Sequence, residues 1–303
     1  MTIETFSNID ELVEVGQRMG FSGGGTQLKP GPVEVNRRSH AVGGITVVRH
    51  GARGAVEYWG DTPDRLVTFI VPLCFECYRV NLESPTVSRD VVMMPPGAEI
   101  VITTFGHDSF LLYVPVSLLA RHLGEFASVL EPSPRSVRRF AIDRDLRAQL
   151  IGALMQVPAT LAMAVEARQH VICEILAAML RADADSNQTR LRVEAKRRAL
   201  RRARDFIVGN IGSPLVVSEV SSAAGVSERT LQRLFNEEFQ QGPLQYIRAQ
   251  RLEAVRKMLS HVDFSYKSIS EIAIENGFTH LGRFSTAFKS QFGALPKQFR
   301  RGA

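Results

Sequence analysis

The first third of the chain alternates short apolar runs with turn residues. Between residue 31 and about residue 116, runs such as Leu66–Val71 and Phe110–Val114 are separated by glycines and prolines. Runs of this kind are typical of β-strands, and several strands without intervening helices favour a small barrel or sandwich. Apolar residues recur at helical spacing over residues 115–182. The pattern predicts a β part followed by helices.

The last hundred residues contain a repeated pattern. Val217-Ser-Glu-Val220 and Gly225-Val226-Ser227 recur 52 positions later as Ile269-Ser-Glu-Ile272 and Gly277-Phe278-Thr279. After one extra residue, Leu231, Phe235 and Phe239 are matched by Phe284, Phe288 and Phe292. A fixed offset is the mark of a duplicated unit. The sequence therefore predicts two copies of one supersecondary structure.

Each copy predicts a short helix, a turn and a longer amphipathic helix. Gly225 or Gly277 suits the turn because glycine adopts positive φ without a steric cost. Ser227 or Thr279 is expected to cap the second helix, since a hydroxyl accepts a hydrogen bond from an unpaired amide. Ser268-Ile-Ser-Glu271 adds a capping box to the second copy. Together these features predict two helix-turn-helix units.

The second helix of each copy has an apolar and a polar face. We expect the apolar positions to be core because they recur at helical spacing: Leu231, Leu234, Phe235 and Phe239, then Phe284, Ala287, Phe288 and Phe292. The opposite faces carry Glu228, Arg229, Gln232 and Arg233, then His280, Arg283, Thr286 and Lys289. Such side chains can bind base edges, because arginine pairs with guanine and glutamine with adenine.

One long helix is predicted between the copies. Residues 243–259 contain no internal proline or glycine and carry apolar residues from Leu244 to Leu259. Such a helix is about 25 Å long. Successive major-groove faces lie roughly 34 Å apart, so this helix is expected to space the two units along one side of a duplex.

Charge is distributed unevenly along the chain. Residues 1–182 carry 17 basic and 19 acidic side chains, whereas residues 183–303 carry 20 and 12. A basic part joined to a nearly neutral one predicts a polyanionic partner for the basic part, since phosphate neutralisation supplies most non-specific affinity for DNA.

These motifs together resemble the AraC/XylS family of bacterial transcription regulators. The resemblance rests on Leu231-Gln-Arg233-Leu-Phe235, Tyr246-Ile-Arg248, Arg251-Leu252, Gly277-Phe278, Phe284-Ser, Phe288-Lys289 and the closing Phe292-Gly293, Pro296 and Phe299-Arg300. It covers about one third of the chain. The resemblance implies a seven-helix domain that binds adjacent major grooves of a promoter.

The resemblance also implies roles for individual residues. Arg229, Gln232 and Arg233 would contact bases in the first unit, and Arg283 and Thr286 in the second. Lys289 and Arg248 would contact phosphates. Leu281 and Gly282 stand where the family often has polar side chains. The second unit is therefore expected to contribute less to sequence specificity.

We predict an α+β chain in three parts. Residues 1–182 form an effector-sensing and dimerisation domain, a cupin-like barrel that is β-rich to about residue 116 and then supplies interface helices. Residues 183–198 form a linker, although a continuation of the preceding helix stays open. Residues 199–303 form the all-α DNA-binding domain with both helix-turn-helix units.

The first part lacks the pattern of an enzyme or a metal site. Metal-binding cupins supply a close His-Xaa-His pair with a carboxylate, whereas His40, His50 and His107 are scattered. Cys74 and Cys77 lie three apart in a strand-like stretch, hence on opposite faces, and no second cysteine pair completes a zinc site. We therefore expect no enzymatic activity, no metal and no cofactor.

The sequence thus predicts a transcription regulator, an activator by resemblance, controlled by a small-molecule effector. Its expected partners are double-stranded promoter DNA, RNA polymerase and a second copy in a homodimer. Control by a protein partner instead of a small ligand stays open. The chain starts without a signal peptide and has no run of about 20 apolar residues. We therefore expect a cytoplasmic protein outside the membrane.

Overall fold

The structure is a computed structural model that describes residues 2–6, 8–74, 78–80, 90–130, 137–155, 165–183 and 190–300. Its contacts divide the chain into two compact units. The first comprises 1–25, 34–53 and 58–188, and the second comprises 26–33, 54–57 and 189–303. Cys77 and residues 184–189 of the predicted linker lie outside the described residues. The predicted domain boundaries stay a prediction.

The described strands form an antiparallel sheet. They are β1 Thr2–Phe6, β2 Gly24–Gln27, β3 Glu34–Val42, β4 Ile45–Asp61, β5 Leu66–Pro72, β6 Tyr78–Val80, β7 Asp90–Met94, β8 Glu99–Pro115 and β9 Arg138–Ala141. The strand order is β1-β3-β4-β8-β5-β7-β9, with β2 beside β4 and β6 beside β8. The register of β5 and β8 pairs Phe69 with Leu112. The predicted β-rich first part is confirmed.

Strand β5 shows why its sequence reads as a continuous apolar run. Val67, Phe69 and Val71 point into one core, which the helices also enter, while Ile70 points into a second core on the other face. Alternate residues of a strand face opposite sides of the sheet, so a strand buried on both faces is apolar at most of its positions, here at all but Thr68.

The sheet has an open strand order. Strands β1 and β9 stand at its two ends, and no pairing between them occurs among the described residues. The cupin-like barrel of the sequence prediction therefore stays a prediction.

Helices follow the sheet in the first unit, as predicted. They are α2 Val116–Leu123, α3 Arg144–Leu154 and α4 Val165–Asp183, with a 3-10 helix over Gly124–Leu130. Leu119, Leu150 and Leu176 pack into the same core as β5. An additional helix, α1 Ile9–Arg18, begins where the Asn8 side chain accepts a hydrogen bond from the Glu11 amide.

The second unit contains six described α-helices. They are α5 Arg190–Gly209, α6 Val217–Ala224, α7 Glu228–Phe239, α8 Pro243–Ser260, α9 Ile269–Glu275 and α10 Leu281–Phe292. Two 3-10 helices lie at Val262–Phe264 and Pro296–Phe299. Helices α6 and α7 form one helix-turn-helix unit and α9 and α10 the other, so the two predicted units are confirmed. Helix α8 connects them, also as predicted.

The described residues were also compared with the requirements of a membrane span. None of their helices combines the length and the apolar composition that crossing a bilayer requires.

Candidate nucleic-acid interface

Glycine makes the turn in both helix-turn-helix units. Gly225 ends α6 in the left-handed conformation, with φ 70° and ψ 36°. Gly277 follows α9 with φ 80°. A Cβ at Gly277 would also lie 2.6 Å from the Cζ atom of Arg251. Both positions therefore need glycine, the second for space as well as for its backbone conformation.

The two second helices begin differently. In the first unit the Ser227 side chain accepts a hydrogen bond from the Thr230 amide at 3.2 Å, as predicted. The predicted cap at Thr279 is wrong, because α10 begins one residue later, with His280 at the cap and no side-chain cap bond. The His280 carbonyl accepts from the Phe284 amide at 2.9 Å. The inserted residue in the second copy moves the cap by one position.

The first helices also differ at their starts. The predicted capping box is confirmed at α9, where the Glu271 amide donates to Ser268 Oγ and the Ser268 amide donates to Glu271 Oε2. These hydrogen bonds from Ser268 lower the pKa of Glu271. At α6 the Val216 amide donates to Glu219 Oε2, but valine offers no side-chain acceptor in return. The first helix-turn-helix unit therefore has only one of the two hydrogen bonds of a capping box.

The apolar faces of α7 and α10 are core, as predicted, although Phe292 is only partly buried. Leu231, Phe235, Phe284 and Phe288 are all at most 2% exposed. The Phe284 and Phe288 rings pack edge to face with centroids 5.6 Å apart. This burial fixes which face of each helix points outward.

All seven side chains predicted to bind DNA are exposed, and they lie on three helices. Helix α7 presents Arg229, Gln232 and Arg233, α8 presents Arg248, and α10 presents Arg283, Thr286 and Lys289. Spacings of three and four residues place the members on α7 on one face. The outward faces of both second helices therefore present arginine and other polar side chains to solvent.

Arg233 is held by an ion pair in the structure. Its Nη1 atom lies 2.7 Å from Glu237 Oε1, one helical turn away, and Lys196 Nζ lies 3.6 Å from the other oxygen of that carboxylate. Burial alone would raise the pKa of Glu237, but the Arg233 hydrogen bond and the Lys196 charge outweigh it, and the pKa is lowered. Exposed pairs of this kind contribute about 0–1 kcal/mol. Arg233 can therefore exchange this partner for a base.

Other predicted side chains have neighbours inside the second unit. The Gln232 amide lies against Gly242, where an added Cβ would be 2.7 Å from its Nε2 atom. Thr286 Oγ1 donates to the Gly282 carbonyl at 3.1 Å. Arg248 lines a cleft of about 330 Å³ together with Lys29 and Ser290. Arg248 thus borders a cleft instead of lying on a second helix of either unit.

Arg251 joins the two helix-turn-helix units, a role that no sequence pattern indicated. From α8 its guanidinium donates to the carbonyls of Ile211 at 3.0 Å, Gly277 at 3.0 Å and Ser213 at 2.6 Å. Ile211 and Ser213 lie before α6, and Gly277 forms the turn of the second helix-turn-helix unit. Only arginine offers several donors in one rigid fork. Arg251 therefore positions both units relative to α8.

A buried carboxyl group contacts the other side of α8. Glu57 Oε2 accepts hydrogen bonds from Tyr246 Oη at 2.7 Å and Gln250 Nε2 at 3.1 Å. Glu57 belongs to the short segment 54–57 of the second unit. Burial raises the pKa of Glu57 to about 7, although Tyr246, Gln250 and the charge of Arg204 act in the opposite direction. No sequence motif indicated this contact.

The comparison with protein families matches the last part of the chain. Residues 220–302 match the family described as a helix-turn-helix domain. The matched residues run from the middle of α6 to beyond α10. They therefore contain the turn and the second helix of the first helix-turn-helix unit, and all of the second helix-turn-helix unit.

Individual relatives are similar over the same region. The Pseudomonas putida protein named XylDLEGF operon transcriptional activator 2 is 33% identical over 123 residues, which are 41% of this chain and 78% of that protein. The XylDLEGF operon transcriptional activator of the same organism is 36% identical over 96 residues, 32% of this chain. The chain spans 30% of the length of this second relative.

A solved structure is also similar to about one third of this chain. A Chromobacterium violaceum transcriptional regulator with an AraC-type DNA-binding domain is 30% identical and has a TM-score of 0.32. The similarity covers 34% of this chain and 88% of that one.

Replacing Arg251 by lysine tests its positioning role. Because an ammonium cannot reach three separate carbonyls, we expect Arg251→Lys to lower the free energy of unfolding by about 1–3 kcal/mol. Arg248→Lys, three residues earlier and exposed, is the matched control and should change it by about 0.5 kcal/mol or less. Hydrogen exchange of the α8 amides, measured at increasing urea concentrations, gives the free energy of unfolding of both variants. Equal stability of the two variants would show that the three hydrogen bonds do not hold the units.

Glu57 makes the second unit sensitive to pH. Its pKa is about 7 when folded, against 4.5 for an ordinary glutamate. Between these values the folded state keeps a proton that the unfolded chain has released. The stability that Glu57 contributes is therefore fully present below about pH 4.5 and falls by about 3 kcal/mol up to about pH 7.

Glu57→Gln removes this proton while keeping an acceptor for Tyr246. We expect the variant to gain stability relative to the parent chain on going from about pH 5 to about pH 8. The same urea and hydrogen-exchange measurement at both pH values checks the prediction. A difference in stability that does not depend on pH contradicts it.

Proposed function

Because the chain belongs to the AraC/XylS family of transcription regulators, we propose that it binds double-stranded promoter DNA through α7 and α10 and activates transcription. Its relatives are regulators and not enzymes, as the sequence predicted. The P. putida relatives are named as transcriptional activators, which supports activation as the outcome of binding. RNA polymerase is the partner that activation requires.

The observation that carries this proposal is the paired exposure of two helix faces that carry arginines. Each second helix buries its aromatic face and leaves its arginines in solvent. Helix α8, which connects the units, has 18 residues and is about 27 Å long at 1.5 Å per residue. This length supports binding of α7 and α10 to neighbouring major grooves.

Helix α7 is proposed to contact bases. Arg229, Gln232 and Arg233 are exposed together, and arginine and glutamine are the side chains that form bidentate pairs with guanine and adenine. The weak pair with Glu237 keeps Arg233 extended along the helix without binding it firmly.

Helix α10 is proposed to anchor more than to discriminate. Arg283 and Thr286 would contact bases, but the Thr286 hydroxyl already donates within its own helix. Leu281 and Gly282 offer no polar group at the exposed helix start. Lys289 and Arg248 would bind phosphates, which fix the register without reading sequence.

The first unit is proposed to bind a small-molecule effector beside two buried histidines. His107 Nε2 lies 3.2 Å from His50 Nδ1, and His107 Nδ1 lies 2.9 Å from Thr104 Oγ1. Burial lowers the pKa of His107 to about 4 and that of His50 well below its ordinary value, so both rings are neutral. His50 and His107 are therefore neighbours in the fold, although they lie far apart in the sequence.

This pair leaves a polar atom for a ligand. Thr104, His107 and His50 are linked by successive side-chain hydrogen bonds. Whichever way these hydrogen bonds run, the Nε2 atom of His50 is buried and has no hydrogen-bond partner among the described residues. An unsatisfied buried polar atom costs about 1–3 kcal/mol, which a polar ligand group would recover. This supports a small ligand over control by a protein partner, the alternative that stays open.

Three further features are part of the proposal. The sheet of the first unit is proposed to be cupin-like, and its helices to form a homodimer interface. The protein is proposed to act in the cytoplasm, where the promoter DNA is. Two copies on paired sites would then respond together to one effector.

Substitutions in α7 and α10 test the proposed DNA contacts. We expect Arg233→Ala to cost about 1–3 kcal/mol of preference for the target site over unrelated DNA. Lys289→Ala should weaken binding evenly across sequences and flatten the salt dependence by about one unit. Gel-shift titrations of the full chain with its own promoter region, at several salt concentrations, measure both quantities.

The two variants are controls for each other because each removes one exposed cation. Identical loss of affinity and of salt dependence would mean that base and phosphate contacts are assigned wrongly. The absence of a sequence-selective, salt-dependent shift with the parent chain would overturn DNA binding itself.

A thermal-shift screen of small polar metabolites tests the effector site. A compound bound beside His50 should raise the melting temperature of the parent chain but not that of His50→Leu, because mass action stabilises only a state that binds. Equal shifts for both chains would place the compound elsewhere.

A further inference from the structure

We propose that His122, His170 and Glu174 in the first unit bind a divalent transition-metal ion. The three side chains come from two helices that contact each other, α2 and α4. Their ligand atoms, two imidazole nitrogens and one carboxylate oxygen, all lie within 4.8 Å of one another. The cluster shares no residue with the pair of His50 and His107.

Helix α4 supplies two of the three ligands. His170 and Glu174 are four residues apart on α4, so one turn of the helix places both on the same face. His122 faces them from the last turn of α2, with its ring centroid 5.5 Å from that of His170. An ion at this point would join the two helices.

The three groups are close but not paired with one another. None of the three pairs is joined by a hydrogen bond or an ion pair in the structure, although their ligand atoms are within 4.8 Å. Glu174 likewise has no salt bridge to any described lysine or arginine. The ligand atoms therefore border a shared space that a cation can enter.

The ring of His122 has a backbone partner for one of its two nitrogens. Its Nδ1 atom lies 3.1 Å from the Leu118 carbonyl, which can only accept a hydrogen bond. This hydrogen bond needs a hydrogen on Nδ1, which leaves the lone pair of Nε2 available for a metal ion. Metal-binding histidines commonly donate their other N–H group to a carbonyl in this way.

The dimensions suit a tetrahedral ion after small side-chain rotations. Bonds of about 2.1 Å in a tetrahedral site hold ligand atoms about 3.4 Å apart. His170 is exposed, whereas His122 and Glu174 are half-buried. The exposed ring can rotate, and the solvent side gives the ion an entry path and a water as fourth ligand.

The ligand set selects a class of ion. Two imidazoles and one carboxylate suit Zn²⁺, Co²⁺, Ni²⁺ or Cu²⁺, whereas Mg²⁺ and Ca²⁺ prefer oxygen ligands throughout. This proposal departs from the expectation, drawn from the sequence, that the chain binds no metal. The spacing of His170 and Glu174 is a visible signal, but His122 lies far from them in the sequence.

Metal titration of the full chain, made without a polyhistidine tag and stripped with a chelator, tests the site. We expect calorimetry with Zn²⁺ to give one ion per chain. We expect Co²⁺ to give visible bands of a nitrogen and oxygen site without a thiolate charge-transfer band, which separates this cluster from the cysteines. Zn²⁺ should also raise the melting temperature.

Variants assign the binding to the cluster. His170→Ala and Glu174→Gln should each weaken Zn²⁺ binding about tenfold or more, with an unchanged melting temperature in the presence of chelator. The matched control is His261→Ala, an exposed histidine of the second unit, which should bind as the parent chain does.

Two results would overturn the proposal. One is no uptake of Zn²⁺ or Co²⁺ by the parent chain. The other is parental affinity in the double variant His170→Ala/Glu174→Gln, which would place the ion elsewhere. If the double variant does not fold, His122→Gln serves instead, and parental affinity there has the same meaning.

Discussion

The helix-turn-helix arrangement depends on the burial of α8 against both second helices. Near its start, Tyr246 packs against Phe235 and Phe239, with ring centroids 5.2 Å and 4.4 Å apart. Further along, Leu252 and Val255 belong to the same core as Phe284 and Phe288. Each large apolar side chain buried in this way contributes about 1.5–3 kcal/mol. One helix therefore carries both cores, and the polar faces of α7 and α10 are what remains for solvent.

Hydrogen bonds add direction to this packing. Apolar contacts hold helices together without fixing one orientation, whereas the three bonds of Arg251 connect α8 to carbonyls on both sides of it. The two units remain unequal within this frame. Helix α7 starts from a side-chain cap and exposes Arg229, Gln232 and Arg233, whereas α10 starts without a cap at an exposed leucine. This inequality is the physical basis for proposing one base-reading helix and one anchoring helix.

Two buried polar sites outside these faces share one property. Where burial is complete, as at Glu57 and at the pair of His50 and His107, the neutral form of the side chain is favoured. Such groups can bind a neutral polar partner or respond to pH. The cluster of His122, His170 and Glu174 keeps access to solvent, so an ion can reach it and keep a water ligand. The two ligand sites proposed in the first unit thus differ in their chemistry.

Much of the second unit was predictable because its signals are local. The turn glycines, the Ser227 cap and the aromatic spacing of α7 and α10 act within one or two helical turns, so the sequence by itself determined two helix-turn-helix units and their exposed faces. Even the misplaced cap at Thr279 was encoded, since the offset between the copies changes from 52 to 53 before α10.

Only the tertiary structure decided which distant polar groups meet. His50 and His107 are 57 residues apart, and Glu57 and Tyr246 are 189 apart. No periodicity links such positions, because their contact depends on how strands and helices pack and not on local backbone preference. The same reason hid the role of Arg251 and the approach of His122 to α4. Local patterns thus determined the elements and their faces, while packing determined the buried and shared polar sites.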